Sequence, residues 1–92
     1  MPPLSPSDIQ TRLVSVPDWL VESGELVRIF LFKDFRAALA FVNKVADAAE
    51  HAAHHPDIDI RYNKVRLALV THDAGGLTAK DFDLAAAADK LI

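Results

Sequence analysis

The sequence predicts an α+β fold in two layers, a four-stranded antiparallel sheet with helices on one face, in the order α-β-β-α-β-β-α. Three observations carry this expectation. Apolar residues recur at helical spacing in segments that open on capping residues. Four short stretches between these segments read as strands. The first two strands, and likewise the last two, are separated by only two turn-forming residues, which makes two hairpins, and hairpins packed under helices give a two-layer domain.

The first helix is expected over about residues 6–16. Ser5 caps it, Pro6 takes the first helical position, and Asp8 stands where a capping box closes. Leu4 and Ile9 form the ends of a hydrophobic staple, and Ile9, Leu13 and Val16 repeat at helical spacing until Pro17 stops the run. Two extended stretches follow, 18–22 and 25–32, joined by Ser23-Gly24, where glycine accepts positive φ. The second is apolar on both faces over much of its length, as suits a central strand or one covered by a partner chain. Trp19 and Phe30 read as core.

From Asp34, a reasonable N-cap, the period becomes helical. Phe35, Leu39, Val42, Ala46, Ala49 and Ala53 form an apolar stripe whose alanine-rich end implies close packing against a sheet, and Pro56 ends the segment. The period then drops to two. Ile58, Ile60 and Tyr62, then Val65, Leu67 and Leu69, fall on one apolar face, with Asn63-Lys64 as the turn. Gly75-Gly76 is a loop, and Thr78 with Asp81 forms a second capping box that opens a last helix through about Leu91.

At 92 residues the chain is expected to be one domain, 1–92, with a core thin enough that self-association would help it. A formal charge of −3 leaves no basic surplus for a phosphate backbone, so direct nucleic-acid binding is not expected. The absence of cysteine excludes disulfides, thiolate metal sites and a cysteine nucleophile, and is compatible with the expected cytoplasmic location. The start, Met1-Pro2-Pro3-Leu4-Ser5-Pro6, lacks the positive flank and apolar stretch of a signal peptide, and no apolar run reaches bilayer-spanning length.

Histidine is the one conspicuous reactive residue type, at His51, His54, His55 and His72. With Tyr62 paired to Val65, the hairpin register sets His55 opposite His72, Asp57 opposite Val70 and Asp59 opposite Ala68. His55, His72, Asp57, Asp59, Arg61 and Arg66 then share the open face of the sheet, with His54 adjacent. Imidazole titrates near neutral pH, and two or three at one site can hold opposite protonation states, one donating while another accepts. Two other readings stand beside this one: solvated or capping histidines near a helix C-terminus, or a zinc site without the usual motif support. His51 reads as surface, Glu50 as solvated, and Asp81 as a capping residue.

The pattern Glu50-x3-His54-His55-Pro56-x5-Tyr62-x9-His72-x8-Asp81 resembles the signature of the pterin-4a-carbinolamine dehydratases. Tyr62-Asn63-Lys64-Val65 and the run from Thr71 to Thr78 add to it, and the resemblance covers about residues 5–92. Two positions depart from it. Ile58 stands where many members carry an aromatic residue, and Ala53 where many carry an acid or Asn.

The resemblance implies removal of water from a 4a-hydroxytetrahydropterin, the product of aromatic amino acid hydroxylases, to give the quinonoid dihydropterin. It implies His54, His55 and His72 as the catalytic residues, with Glu50, Pro56, Asp57, Thr71 and Asp81 binding the substrate. Asp81 is expected to orient His72 and Glu50 to meet the polar edge of the pterin. It further implies the same fold, homodimers or homotetramers, and neither a metal nor an organic cofactor, the pterin being substrate. The alternative is a non-catalytic dimerisation or regulatory module, because some members of that family partner a transcription factor.

Overall fold

A computed structural model describes residues 2–92. Met1, at the head of the segment read above for signal features, lies outside them. The elements are α1 (Pro6–Leu13), β1 (Leu20–Glu22), β2 (Glu25–Leu31), α2 (Phe35–Ala52), β3 (Asp57–Arg61), β4 (Lys64–Leu69) and α3 (Ala79–Asp89), with one turn of 3₁₀ helix at His72–Ala74. The four strands form one antiparallel sheet in the order β1-β2-β4-β3.

The capping signals act as read. Ser5 accepts from the Asp8 N–H, Asp34 accepts from the Ala37 N–H, and Thr78 and Asp81 cap each other at the start of α3. Ser23 and Gly24 turn the first hairpin with φ of 50° and 78°, the left-handed pair that matches strand twist. Leu26, Phe30, Val65, Leu67 and Leu69 are buried with Ala38, Phe41, Val45 and Ala49 of α2 and Phe82, Leu84, Ala85 and Ala88 of α3. Phe30 joins the layers, its ring 5.9 Å from Trp19 edge-on and 4.6 Å from Phe41. Arg28 lies on this inner face too. Its guanidinium stands 4.2 Å over the Phe30 ring and donates to Asp89 at 2.7 Å, and Asp89 also accepts from Trp19 Nε1.

Two expectations are corrected. The face of α2 against the sheet is Ala38, Phe41, Val45 and Ala49, and Phe35, Leu39 and Ala46 of the expected stripe are exposed. Both rows are apolar at helical spacing, and the sheet takes the one with Phe41 and Val45. In the second hairpin the turn is Tyr62-Asn63. Arg61 therefore pairs with Lys64, Asp57 with Ala68 and Asp59 with Arg66, two positions from the expected register. Asn63 fixes this, because its side chain donates to the Phe32 carbonyl and its own carbonyl accepts from the Phe32 N–H, both at 2.9 Å. Tyr62, at φ 53°, sits at the tip of the turn and is 68% exposed rather than core. The slip is even, so Ile58 and Ile60 keep their face.

Candidate functional site

With the register corrected, His55 and His72 are not cross-strand partners. Both lie past the strand ends, and they converge for a different reason. Helix α2 stops with Ala53 in the left-handed conformation, φ 52°, where the N–H groups of Ala53 and His54 return to the carbonyls of Glu50 and Ala49. This reversal throws His54 and His55 off the helix end. From the other side, β4 runs into a loop that closes on itself. The Thr71 carbonyl accepts from Ala74 and Gly75, Thr71 bridges Gly76, and Gly75 takes φ 75°. His72 sits at the start of that loop. The first residues of the chain hold its far side, with the Leu4 N–H donating to the Leu77 carbonyl at 2.7 Å.

His54, His55 and His72 line one pocket of about 270 Å³ with Ala53, Val70, Thr71, Asp73 and Lys80. Under it lies a buried polar network centred on Asp81, whose side chain is wholly enclosed. Asp81 Oδ2 accepts from the Thr78 N–H at 2.9 Å and the Thr71 hydroxyl at 2.8 Å. Thr71 has then used its proton, so at the 2.8 Å contact between the two hydroxyls Thr78 donates, and Thr78 in turn accepts from the Lys80 N–H. The remaining oxygen, Oδ1, accepts from His54 Nε2–H at 2.6 Å. His54 is thereby held with Nε2–H inward. Nδ1 is the nitrogen left to exchange a proton with a bound molecule.

The structure thus joins Asp81 to His54, where the expectation paired it with His72. Glu50 bonds His55 instead, with Oε2 accepting from Nε2–H at 2.5 Å, both side chains largely exposed. Thr71 lines the pocket, but its hydroxyl is turned to Asp81. Pro56 and Asp57 are not among the pocket-lining residues. The sequence reading does not single out Lys80 or Thr78 as site residues, although it identifies Thr78 as a cap. The signal for Lys80 is its place in the first turn of a capped helix next to Asp81. His51, read as surface, is exposed but borders a second cavity between α2 and α3. Among the described residues no group of three or more His, Asp or Glu side chains is clustered so as to hold a metal ion, and no helix is long and apolar enough to cross a membrane.

The arrangement offers three imidazoles on one small pocket, one of them oriented by a buried carboxylate, which is equipment for moving protons. Comparison with known proteins agrees in kind. Residues 2–91 match the family model described as pterin 4 alpha carbinolamine dehydratase. A protein of Acidobacterium capsulatum bearing the name "Putative pterin-4-alpha-carbinolamine dehydratase" is 62% identical over the whole of both chains. One of the same name from Chloroflexus aurantiacus is 61% identical over 100% of this chain and 99% of its own. The crystal structure of a transcriptional coactivator/pterin dehydratase from Brucella melitensis superposes with a TM-score of 0.93 at 31% identity, covering 97% of each chain. This chain belongs to the pterin 4 alpha carbinolamine dehydratase family.

Proposed function

We propose that the protein dehydrates a 4a-hydroxytetrahydropterin to the quinonoid dihydropterin in the recycling of a hydroxylase cofactor. The observation that carries this reading is the convergence of His54, His55 and His72 on one pocket, with His54 fixed by a buried Asp81. In the reaction the C4a–O bond breaks and the hydroxyl leaves as water with an added proton. The adjacent ring nitrogen gives up its proton, and its electron pair forms the C=N bond. That pair does the work of expulsion, so the reaction as proposed draws on no metal ion or organic cofactor. The protein supplies an acid on the oxygen and a base at the nitrogen, each worth about 10²–10⁴-fold.

His54 and His72 are assigned these two roles, and His55, tied to Glu50, orients the ring. Pro56 and Asp57 border the pair and are proposed to shape the pterin entrance; Thr71 contributes through Asp81. The expected location is cytoplasmic. The proposed assembly is a homodimer or homotetramer, in which the exposed Phe35, Leu39 and Ala46 on α2, with half-buried Val42 between them, become covered. The test is a coupled stopped-flow assay of 4a-hydroxytetrahydropterin dehydration. His72→Ala should lower the catalysed rate at least about tenfold while the circular dichroism spectrum stays native. An unchanged rate would remove His72 from the chemistry, and no acceleration by the wild type would refute the dehydratase reading.

The name of the Brucella melitensis neighbour also includes a coactivator role. A protein-binding role for this chain would use the same α2 row and would leave the histidine pocket idle.

A further inference from the structure

Two of the three pocket histidines answer to a carboxylate, His54 to Asp81 and His55 to Glu50. Among the described residues no carboxylate lies within ion-pair distance of His72. His72 does line a further cavity, of about 380 Å³, between its own loop and the turn of the first hairpin. His72 and Val70 border this cavity and the histidine pocket alike. Ser23, Gly24 and Glu25 close its other side, where Glu25 is half-buried. Glu25 faces Glu22 across the hairpin, a like-charged pair that weakens it. Glu22 has Arg66 at 3.9 Å, whereas among the described residues Glu25 has no cation in reach. A carboxylate and an imidazole, each without an ionic partner, thus border one cavity.

We propose that Glu25 is the proton relay of His72, exchanging protons between that imidazole and bulk solvent through water held in this cavity. This rests on the dehydratase reading and goes beyond it by naming how one histidine is reset. His72 ends a turnover one proton short if it has protonated the departing hydroxyl, or one proton over if it has taken the proton of the ring nitrogen. With the pterin ring in the histidine pocket, the exchange falls to the cavity behind. Glu25 supplies or removes that one proton and recovers its own state from solvent, so no proton is gained or lost overall. The Ser23 hydroxyl, the Glu25 carboxylate and the backbone at Gly24 and Gly75 give water the polar partners it needs, in a space large enough for several molecules. A Cβ added at Gly24 or Gly75 meets nothing within 4 Å, so the space is open at both walls. Glu25 acts only through His72, which makes it a positioning residue rather than a catalytic one.

Two measurements test this. The first is the stopped-flow dehydration rate in dilute buffer for the wild type, Glu25→Gln and Glu25→Ala, repeated with sodium formate at constant pH and ionic strength. Both variants should lose about tenfold in kcat with KM unchanged. Formate, a small carboxylate, should restore most of the rate in Glu25→Ala, where it has room, and not in Glu25→Gln, whose amide fills the space. A merely structural role for Glu25 gives no such rescue. Either variant at the wild-type rate, or a loss in Glu25→Ala that formate leaves unchanged, overturns the proposal. So does rescue of Asp73→Ala with none of Glu25→Ala, which would make Asp73 the relay. The second follows the ring C–H signals of the histidines by NMR without substrate. Glu25→Gln should shift those of His72 and leave those of His54 and His55 in place; an unmoved His72 overturns the proposal. If the wild type does not accelerate dehydration, the dehydratase reading fails, and the NMR response still decides whether Glu25 acts on His72.

Discussion

Replacing Asp81 separates what its carboxylate does for the fold from what it does for the chemistry. Oδ2 satisfies the Thr78 N–H and the Thr71 hydroxyl, and Oδ1 holds His54, all within a fully buried side chain. In Asp81→Ala both inner donors lose their acceptor and half of the capping box disappears. The Thr78 N–H, whose bond to Asp81 is that half of the box, costs about 1 kcal/mol as a lost cap, and the buried Thr71 hydroxyl left without its acceptor costs about 1–3 kcal/mol, so about 3 kcal/mol in all is expected. For a domain of this size that lowers Tm by about 12–24 °C. Asp81→Asn behaves differently. The Thr78 N–H can only donate, so the amide oxygen must face it and the NH2 group must face His54. His54 Nε2 can then only accept, and the ring is driven to the Nδ1–H tautomer. We expect a stability loss of about 1–2 kcal/mol, from exchanging charged for neutral hydrogen bonds. The dehydration rate falls about 10²-fold or more, because the nitrogen left to the pocket carries the wrong proton. Calorimetry and the stopped-flow assay on both variants provide the check. Asn and Ala variants equally destabilised, or an Asn variant at wild-type rate, would show that the network does not set the tautomer.

Three further predictions concern the supports of the site. Ala53→Gly relieves a left-handed alanine at φ 52° and should raise stability by about 1 kcal/mol, seen as a Tm increase of about 4–8 °C. A lower Tm would mean that the methyl group contributes more than the strain. At Gly76 an added Cβ comes within 3.0 Å of the Pro3 Cβ. Gly76→Ala should therefore cost about 1 kcal/mol and speed exchange of the Leu4 amide with solvent deuterium; unaltered exchange would contradict the close approach. Leu39→Glu places a charge in the exposed apolar row of α2. If that row is covered in an oligomer, sedimentation should show a smaller species with an intact fold, and an unchanged species would locate the interface elsewhere.

The chain's local features are legible where a few adjacent residues decide them. Ser5, Asp34 and Thr78 with Asp81 cap their helices through bonds to backbone three residues on or fewer, and Ser23-Gly24 turns a hairpin by its own dihedral preference. What the sequence hides depends on a distant partner. Asn63 chooses the turn because the Phe32 backbone is there to receive it, and nothing within the hairpin announces Phe32. The two apolar rows of α2 are equivalent by period, and only the sheet distinguishes them. The three histidines stand out as reactive by type and spacing, but the tie between His54 and Asp81 crosses 27 positions between two helix ends, and no local pattern carries it. Thr78 looks like a cap and is one; its hydroxyl also supports Thr71 and, through it, Asp81.

The bond between Leu4 and the Leu77 carbonyl has a consequence for how the molecule comes into being. Helix α2 and the two hairpins are local structures, and chains rich in short-range contacts assemble quickly. The loop bearing His72 is different: its far side is held by residues from the opposite end of the chain, and bringing such remote segments together carries a loop-closure entropy that local elements escape. The two hairpins and α2 can therefore form while the His72 loop still lacks its last support, and His72 reaches its final geometry only when the amino-terminal residues have come home.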